Sequence, residues 1–217
     1  MLSCNSSLIA IAAEFTGKFA PYQSICISPA QQGVYIVSTD KGNVACLAYD
    51  PSGETDETIC LLPTTELIKA ARGIKTAERT LRIEGNQATV TTARKTTSET
   101  KEISISRSMV DFPDLATPLN KAIQRWDATE NNAITSGRYN INYIQDAVKS
   151  LSSINSSVTL HSFDGGPMRI QEESGNIVIL VMPQTAEPIP PVPDWLKAYS
   201  QHKMARGFYD PSTPSVV

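Results

Sequence analysis

Residues 59–107 and 135–185 follow one plan, so whatever unit the first stretch folds into, the second must resemble it. The later stretch opens with SGRYNINYIQDAVKSL, where Tyr143, Ile144, Ala147, Val148 and Leu151 recur at helical spacing between Asn142, Asp146 and Lys149. Asn140 or Asn142 can cap this helix, and Asp146 lies near the positive end of its dipole. Val158 and Leu160 then alternate with Thr159 and His161, as in a half-buried strand. Asp164-Gly165-Gly166 can supply the positive φ angles of a hairpin turn. Met168 and Ile170 alternate in the returning strand, and Ile177–Val181 is an apolar, β-branched run ended by Pro183.

The earlier stretch reads ICLLPTTELIKAARGI, TLRIEG, NQATVTT and KEISISR. Leu67 falls 77 positions before Ile144, as do Ala70 before Ala147, Arg72 before Lys149 and Ile74 before Leu151. The turn Gly85-Asn86 leads into a strand whose Val90 stands 80 positions before Ile170, so the helix-to-strand connection differs by three residues. Arg94–Lys101 reads as a polar tip, followed by Ile103 and Ile105 alternating with serines.

The N-terminal part gives a third, less regular copy. Leu8, Ile9, Ile11, Ala12 and Phe15 predict a helix within residues 3–17, capped by Ser6 or Ser7. Strands are expected at 24–28, 34–38 and 44–49, with turns at Pro29–Gly33 and Asp40–Gly42 and a polar loop over 50–57. Where a fourth copy would stand there is only a short amphipathic helix, within residues 116–134, carrying Leu119, Ala122, Ile123 and Trp126.

The wording of these units resembles the bacterial-type DNA polymerase sliding clamp, the DNA polymerase III β-subunit family. GRYNINYIQDAVKSL resembles that family's strand and last-domain helix, and VILVMPQT the strand and Met-Pro that close its chain. Asp111-Phe112-Pro113-Asp114-Leu115 resembles the phrase that ends a clamp domain. VYIVSTDKGNVACLAY is similar to the family's first-half strands, where Thr-Asp precedes a glycine-containing turn. Together the likeness spans residues 1–185, most strongly in the last fifty.

The resemblance implies an α+β, DNA clamp-like fold, with repeated helix-plus-antiparallel-strand half-modules and the helices on one face of the sheets. It divides the chain into a clamp-like domain at 1–111, a truncated second one at 112–186, and a proline-rich tail at 187–217 with a short helix at Trp195–Met204. It implies a processivity factor that encircles duplex DNA without reading sequence and tethers a DNA polymerase. No cofactor is implied, since ATP would be used by a separate clamp loader. One chain carries too few half-modules for a ring, so a homo-oligomer is expected: four chains if each brings three half-modules, three if each brings two domains. The short length is compatible with a phage or other mobile element.

For the sites, the resemblance implies that helix-borne basic side chains line the hole: Lys69, Arg72, Lys75 and Arg79 around the second helix, Lys121 and Arg125 on the Trp126 helix, and Lys149. Contact with phosphates alone would let the protein hold and slide on DNA. A solvated helix face is the commoner role for any such residue. The family's partner-peptide pocket lies near the closing Met-Pro strand, which gives Val181, Met182 and Pro183 here, with a core strand end as the plainer role.

Composition narrows the alternatives. Net charge is −3, which excludes a protein that coats nucleic acid over its whole surface but not one with a locally basic face. Leu8–Ala13 is too short to span a membrane, has no basic residues before it and is followed by Glu14, so it reads as a buried helix and not a leader. Cys4, Cys26, Cys46 and Cys60 form no C-x-x-C pair, and only His161 and His202 could join them around a metal. Reduced, buried thiols in a cytoplasmic protein fit this spacing. No Gly-x-Ser-x-Gly elbow and no Gly-Lys-Ser/Thr phosphate loop occurs, and Glu99 with Glu102, or Glu172 with Glu173, read as solvated ends; no enzyme is expected. The alternatives are a clamp-derived module that binds a replication or repair protein without forming a ring, and an unrelated enzyme with a convergent repeat.

Overall fold

The computed structural model describes residues 1–74, 77–129, 137–155, 157–162 and 165–184, with Pro191 and Pro193. Residues 1–185 form one compact unit, and 186–217 are a second. The proline-rich tail and its expected helix thus lie almost wholly outside the described residues, as does Lys75. No helix among the described residues is long and apolar enough to cross a membrane.

The first half-module is β1 (Leu2–Asn5), α1 (Ser6–Ala13), β2 (Ile25–Pro29), β3 (Val34–Thr39) and β4 (Val44–Asp50), followed by the two-residue β5 (Glu54–Thr55). Strand β1 corrects the expected helix over 3–17. Leu2 and Cys4 point inward and Leu2–Asn5 pairs with a strand of the next half-module, so the helix starts at Ser6 and is capped by Asn5, which accepts a bond from the Ser7 amide, rather than by Ser6 or Ser7. The tight β2–β3 turn depends on Gly33, at φ 81°, because a Cβ there would meet the Asp50 carbonyl at 2.1 Å.

The second half-module is β6 (Ile59–Leu61), α2 (Thr65–Ala71), β7 (Glu78–Glu84), β8 (Gln87–Ala93) and β9 (Ser98–Ser104). Thr64 caps α2 by accepting the Leu67 amide. The polar tip expected at 94–101 is shorter, since β9 already pairs with β8 from Ser98. Next comes α3 (Ala116–Thr129), then the third half-module: α4 (Ile141–Ser152), capped by Asn140, and β10 (Val158–His161), β11 (Met168–Glu172) and β12 (Ile177–Val181).

The half-modules exchange strands. One sheet runs β5-β1-β7-β8-β9 and the other β10-β11-β12-β4-β3-β2-β6. Thus β1 of the first half-module borders the strands of the second, and β6 of the second borders the strands of the first. The third joins through β12, which pairs antiparallel with β4 along its whole length, Ile177 opposite Ala48 and Val181 opposite Val44. That pairing crosses the 111/112 division suggested by the sequence.

One core runs through all three half-modules. Helices α1, α2 and α4 bury Ile9, Leu67, Ala147 and Leu151 against Ile36, Cys46, Leu81 and Ile179. The repeat pairs Ala70 with Ala147, and Val90 with Ile170, are buried alike. Ile74 and Leu151 are not: Leu151 is fully buried, whereas α2 ends before Ile74, which is exposed. Helix α3 departs from the expected one-faced arrangement. It lies on the opposite face of the larger sheet, where Ala122 and Leu119 pack against Ala45, Leu47, Val178 and Leu180.

Candidate functional site

The joint between β4 and β12 is apolar on both faces, which is why both strands read as near-continuous hydrophobic runs. Val44, Cys46 and Ala48 point to the helices with Ile177, Ile179 and Val181; Ala45 and Leu47 point outward with Val178 and Leu180. Helix α3 covers only part of that outward face. Its start is fixed by Asp114, whose carboxylate accepts the Thr117 hydroxyl at 2.7 Å and the Ala116 amide at 2.8 Å, bonds that hold its carboxyl below the usual range. Between α3 and the sheet runs a groove of about 400 Å³. Ala45, Leu47 and Leu180 floor it, Leu115, Pro118, Leu119 and Ala122 wall it, and Thr39, Gly42, Met182 and the Gly165–Pro167 turn close one end. Lys121 and Arg125 stand at its rim.

The hairpin at the groove's end is held by Asp40. Its carboxylate accepts the amides of Asn43 at 2.9 Å, Val44 at 3.0 Å and Gly42 at 3.3 Å, and the Asn43 side chain at 3.1 Å. Partial burial alone would raise this carboxyl, but those donors together hold it below the usual range.

The basic residues divide between two faces. Lys69 on α2, Arg72 just past its end and Lys149 on α4 are exposed on the helix layer, beside Glu66 and Asp146. Between them α1 presents no basic side chain. Arg79 lies on β7, half-buried, and donates to Thr92 at 2.9 Å and to the Arg72 carbonyl. Lys121 and Arg125, on α3, are across the sheet from the others. A second, larger cavity of about 1030 Å³ opens where the start of α1 meets the ends of α2 and α4; it is polar and carries both Asp50 and Arg79.

No family model and no curated protein matches the chain. Solved structures do. PCNA from Thermococcus kodakaraensis superposes with a TM-score of 0.55 at 11% identity, over 85% of this chain and 100% of that one. The β subunit of DNA polymerase III from Thermotoga maritima superposes at 0.55 and 12% identity, over 91% of this chain and 67% of that one. The β subunit from Borrelia burgdorferi gives 0.56 and 12%, over 84% and 62%. The chain has the sliding-clamp fold.

Within this clamp fold, the three closing-strand residues have different positions. Met182 lines the groove and is 43% exposed. Val181 is fully buried toward the helices, and Pro183 bridges to Tyr139. Sequence reading missed Ala45, Leu47, Val178 and Leu180. Their signal was present: in VACLAY and IVILV both alternating sets are apolar, the mark of a strand buried on two faces.

Proposed function

We propose that the protein is a sliding-clamp-type accessory factor of DNA replication, which tethers a DNA polymerase or another replication protein by a short apolar peptide laid in the groove beside α3. The apolar outward face at the β4–β12 joint, left partly open by α3, is the observation that carries this reading. A bound C-terminal region of FEN-1 in a structure of A. fulgidus PCNA, a clamp with a TM-score of 0.53 to this chain at 12% identity, supports a peptide of a replication enzyme as the occupant. Tethering needs no chemistry; it raises the local concentration of the partner at the DNA end. Anisotropy with a labelled peptide bearing Leu and Phe anchors tests it. Met182→Glu, at an exposed groove position, should weaken binding about tenfold, a change of about 1.4 kcal/mol. Equal affinity of the two proteins sinks the groove as the docking site.

Duplex DNA would face the helix layer, with Lys69, Arg72 and Lys149 toward phosphates, and encirclement would require several chains in cyclic symmetry. The second reading, a clamp-derived module that binds its partner without a ring, draws support from Lys121 and Arg125 lying across the sheet and from the apolar α1. Retention on circular but not linearised plasmid separates the two: a ring escapes from free ends, whereas a module without a ring shows no such difference.

A further inference from the structure

We propose that Cys26 and Cys60 form a redox site, at which a low-molecular-weight disulfide oxidises the two thiols to a cross-strand disulfide that staples β2 of the first half-module to β6 of the second. Distance along the chain hides the pair, and only the strand register brings it together: Cys26 on β2 stands directly opposite Cys60 on β6. The other two cysteines have no such neighbour. Cys4 stands opposite Leu81, and Cys46 stands between Ser38 and Ile179.

Facing residues of an antiparallel ladder alternate between two kinds of pair. Those that exchange no backbone bonds bring their side chains closest, with Cα atoms about 4.5 Å apart. Cys60 is of this kind. Its carbonyl turns away from β2 and accepts the Ser108 amide at 2.8 Å, and the Leu62 amide turns the same way, to the Ser106 carbonyl at 2.9 Å. Ile59 and Leu61 therefore bond toward β2, and Cys60 does not. A separation near 4.5 Å falls within the range that disulfides span, roughly 4.4–6.8 Å between Cα atoms, so the bond closes without a change of register. Cys60 already acts on the Cys26 thiol as an electrostatic neighbour.

Both thiols can be reached. Ile25 and Ile27 on β2, and Ile59 and Leu61 on β6, are buried toward the helices, so the cysteines between them point to the outward face and are half-buried. One protein thiol, having lost its proton, attacks the reagent disulfide; the reagent S–S bond breaks, and one reagent thiol leaves and takes up a proton. The second protein thiol then loses its proton and attacks the protein sulfur of the mixed disulfide, releasing the other reagent thiol. The protein loses two hydrogens and the reagent is reduced to two thiols. Burial and its neighbour hold Cys26 protonated, so the exchange is slow near neutral pH. The pair therefore outlasts a brief exposure to an alkylating reagent and closes under sustained oxidation. The loop it closes contains β3 and β4, which carries Leu47 of the groove floor, so the bond secures that floor whatever occupies the groove.

Incubating the reduced full chain for hours with oxidised glutathione, in native buffer at about pH 8.5, tests it. In urea the reduced protein takes up four maleimide adducts, one for each cysteine; the oxidised protein should take up two, and the linked peptides should hold Cys26 and Cys60. The thermal midpoint of the oxidised protein should rise by about 5 °C or more, and dithiothreitol should return it. Cys26→Ser should form no internal link and show no such rise. Four adducts after oxidation, a link that involves Cys4 or Cys46, or a pair that closes only in urea overturns the proposal. So does an oxidised protein whose midpoint is unchanged or lower, since the bond would then not staple the half-modules.

Discussion

The Tyr143 hydroxyl donates to the Asp40 carboxylate at 3.1 Å, across 103 residues of chain, and so bonds α4 to the β3–β4 hairpin of the first half-module. Burial first, and then the Asp40 charge, push the Tyr143 hydroxyl above its usual pKa, so it stays a donor across the physiological range. Tyr143→Phe removes one of several donors to Asp40 and should cost about 1 kcal/mol, read as a lower urea midpoint with unchanged slope. Asp40→Ala strands three backbone amides and should cost more. An equal midpoint for Tyr143→Phe and wild type would show that this bond contributes nothing to joining the half-modules.

Glu172 should make the fold acid-sensitive. It is 4% exposed and accepts the amides of Ser174 and Asn176 at 2.7 Å each, the Ile177 amide at 3.3 Å, and the Ser174 hydroxyl. Burial raises its pKa, but these bonds outweigh it and the carboxyl titrates below its ordinary value. A lowered folded pKa adds stability above the unfolded value, about 4.3 for Glu, and that contribution is lost as pH falls through the folded pKa. Glu172→Gln presents an amide N–H to backbone donors and should cost about 1–3 kcal/mol at neutral pH. The gap between the two proteins should narrow in acid; a gap that stays constant from neutral pH to below the carboxylate range would rule out this linkage.

Helix α3 should detach without unfolding the rest. Among the described side chains, Leu119 and Ala122 hold it on four outward side chains, and none is buried in the main core. Ala122→Asp buries a charge at that contact. Amide exchange over residues 116–129 should rise by an order of magnitude or more while β4 and β12 keep their protection. Loss of protection in those strands would mean that α3 supports the joint and is not a separable cover.

Much of this was legible in the chain. The repeat at 77 and 80 positions matched α2 with α4 and Val90 with Ile170 as equivalent positions, because those residues answer to local periodicity and to burial against their own half-module. Strand β1 was not legible: four residues abutting a helix give two inward side chains, too few for alternation, and its partner β7 is some eighty residues away. Lys121 and Arg125 have helical spacing, but spacing on α3 says nothing about which face of a sheet the helix will cover. Leu119 and Ala122 predicted a buried stripe; its target, an outward face assembled from β4 and β12, exists only after those distant strands pair.

The four thiols should resist alkylation in the native protein. Cys4 and Cys46 are buried; Cys26 and Cys60 are half-buried and face each other across β2 and β6. Burial, and then Cys60 as a charged neighbour and hydrogen-bond partner, push the Cys26 thiol up to about 12. Burial also pushes Cys46 up to about 12, helped by the Glu14 charge. The thiolate is the reactive form, so little of it is present at Cys26 and Cys46 near neutral pH, and the half-buried Cys60 is screened by its place opposite Cys26. Iodoacetamide at pH 7.5 should leave the native mass unchanged over minutes and add four adducts in urea; rapid labelling of native Cys26 would contradict the assignment.

The two basic faces predict a divided response to charge reversal. Arg72→Glu with Lys149→Glu changes exposed residues on the helix layer, and Lys121→Glu changes one across the sheet. If duplex DNA lies against the helices, the double variant should lose retention on circular DNA. Its salt dependence should flatten by about 0.9 in the log–log slope for each phosphate that is no longer neutralised. Lys121→Glu should leave the slope as it was, because a residue on the outward face cannot reach a duplex held on the other side. Equal slopes for the double variant and wild type would remove DNA from the helix layer. A flattened slope for Lys121→Glu alone would place the duplex on the outward face, where it would compete with a peptide in the groove.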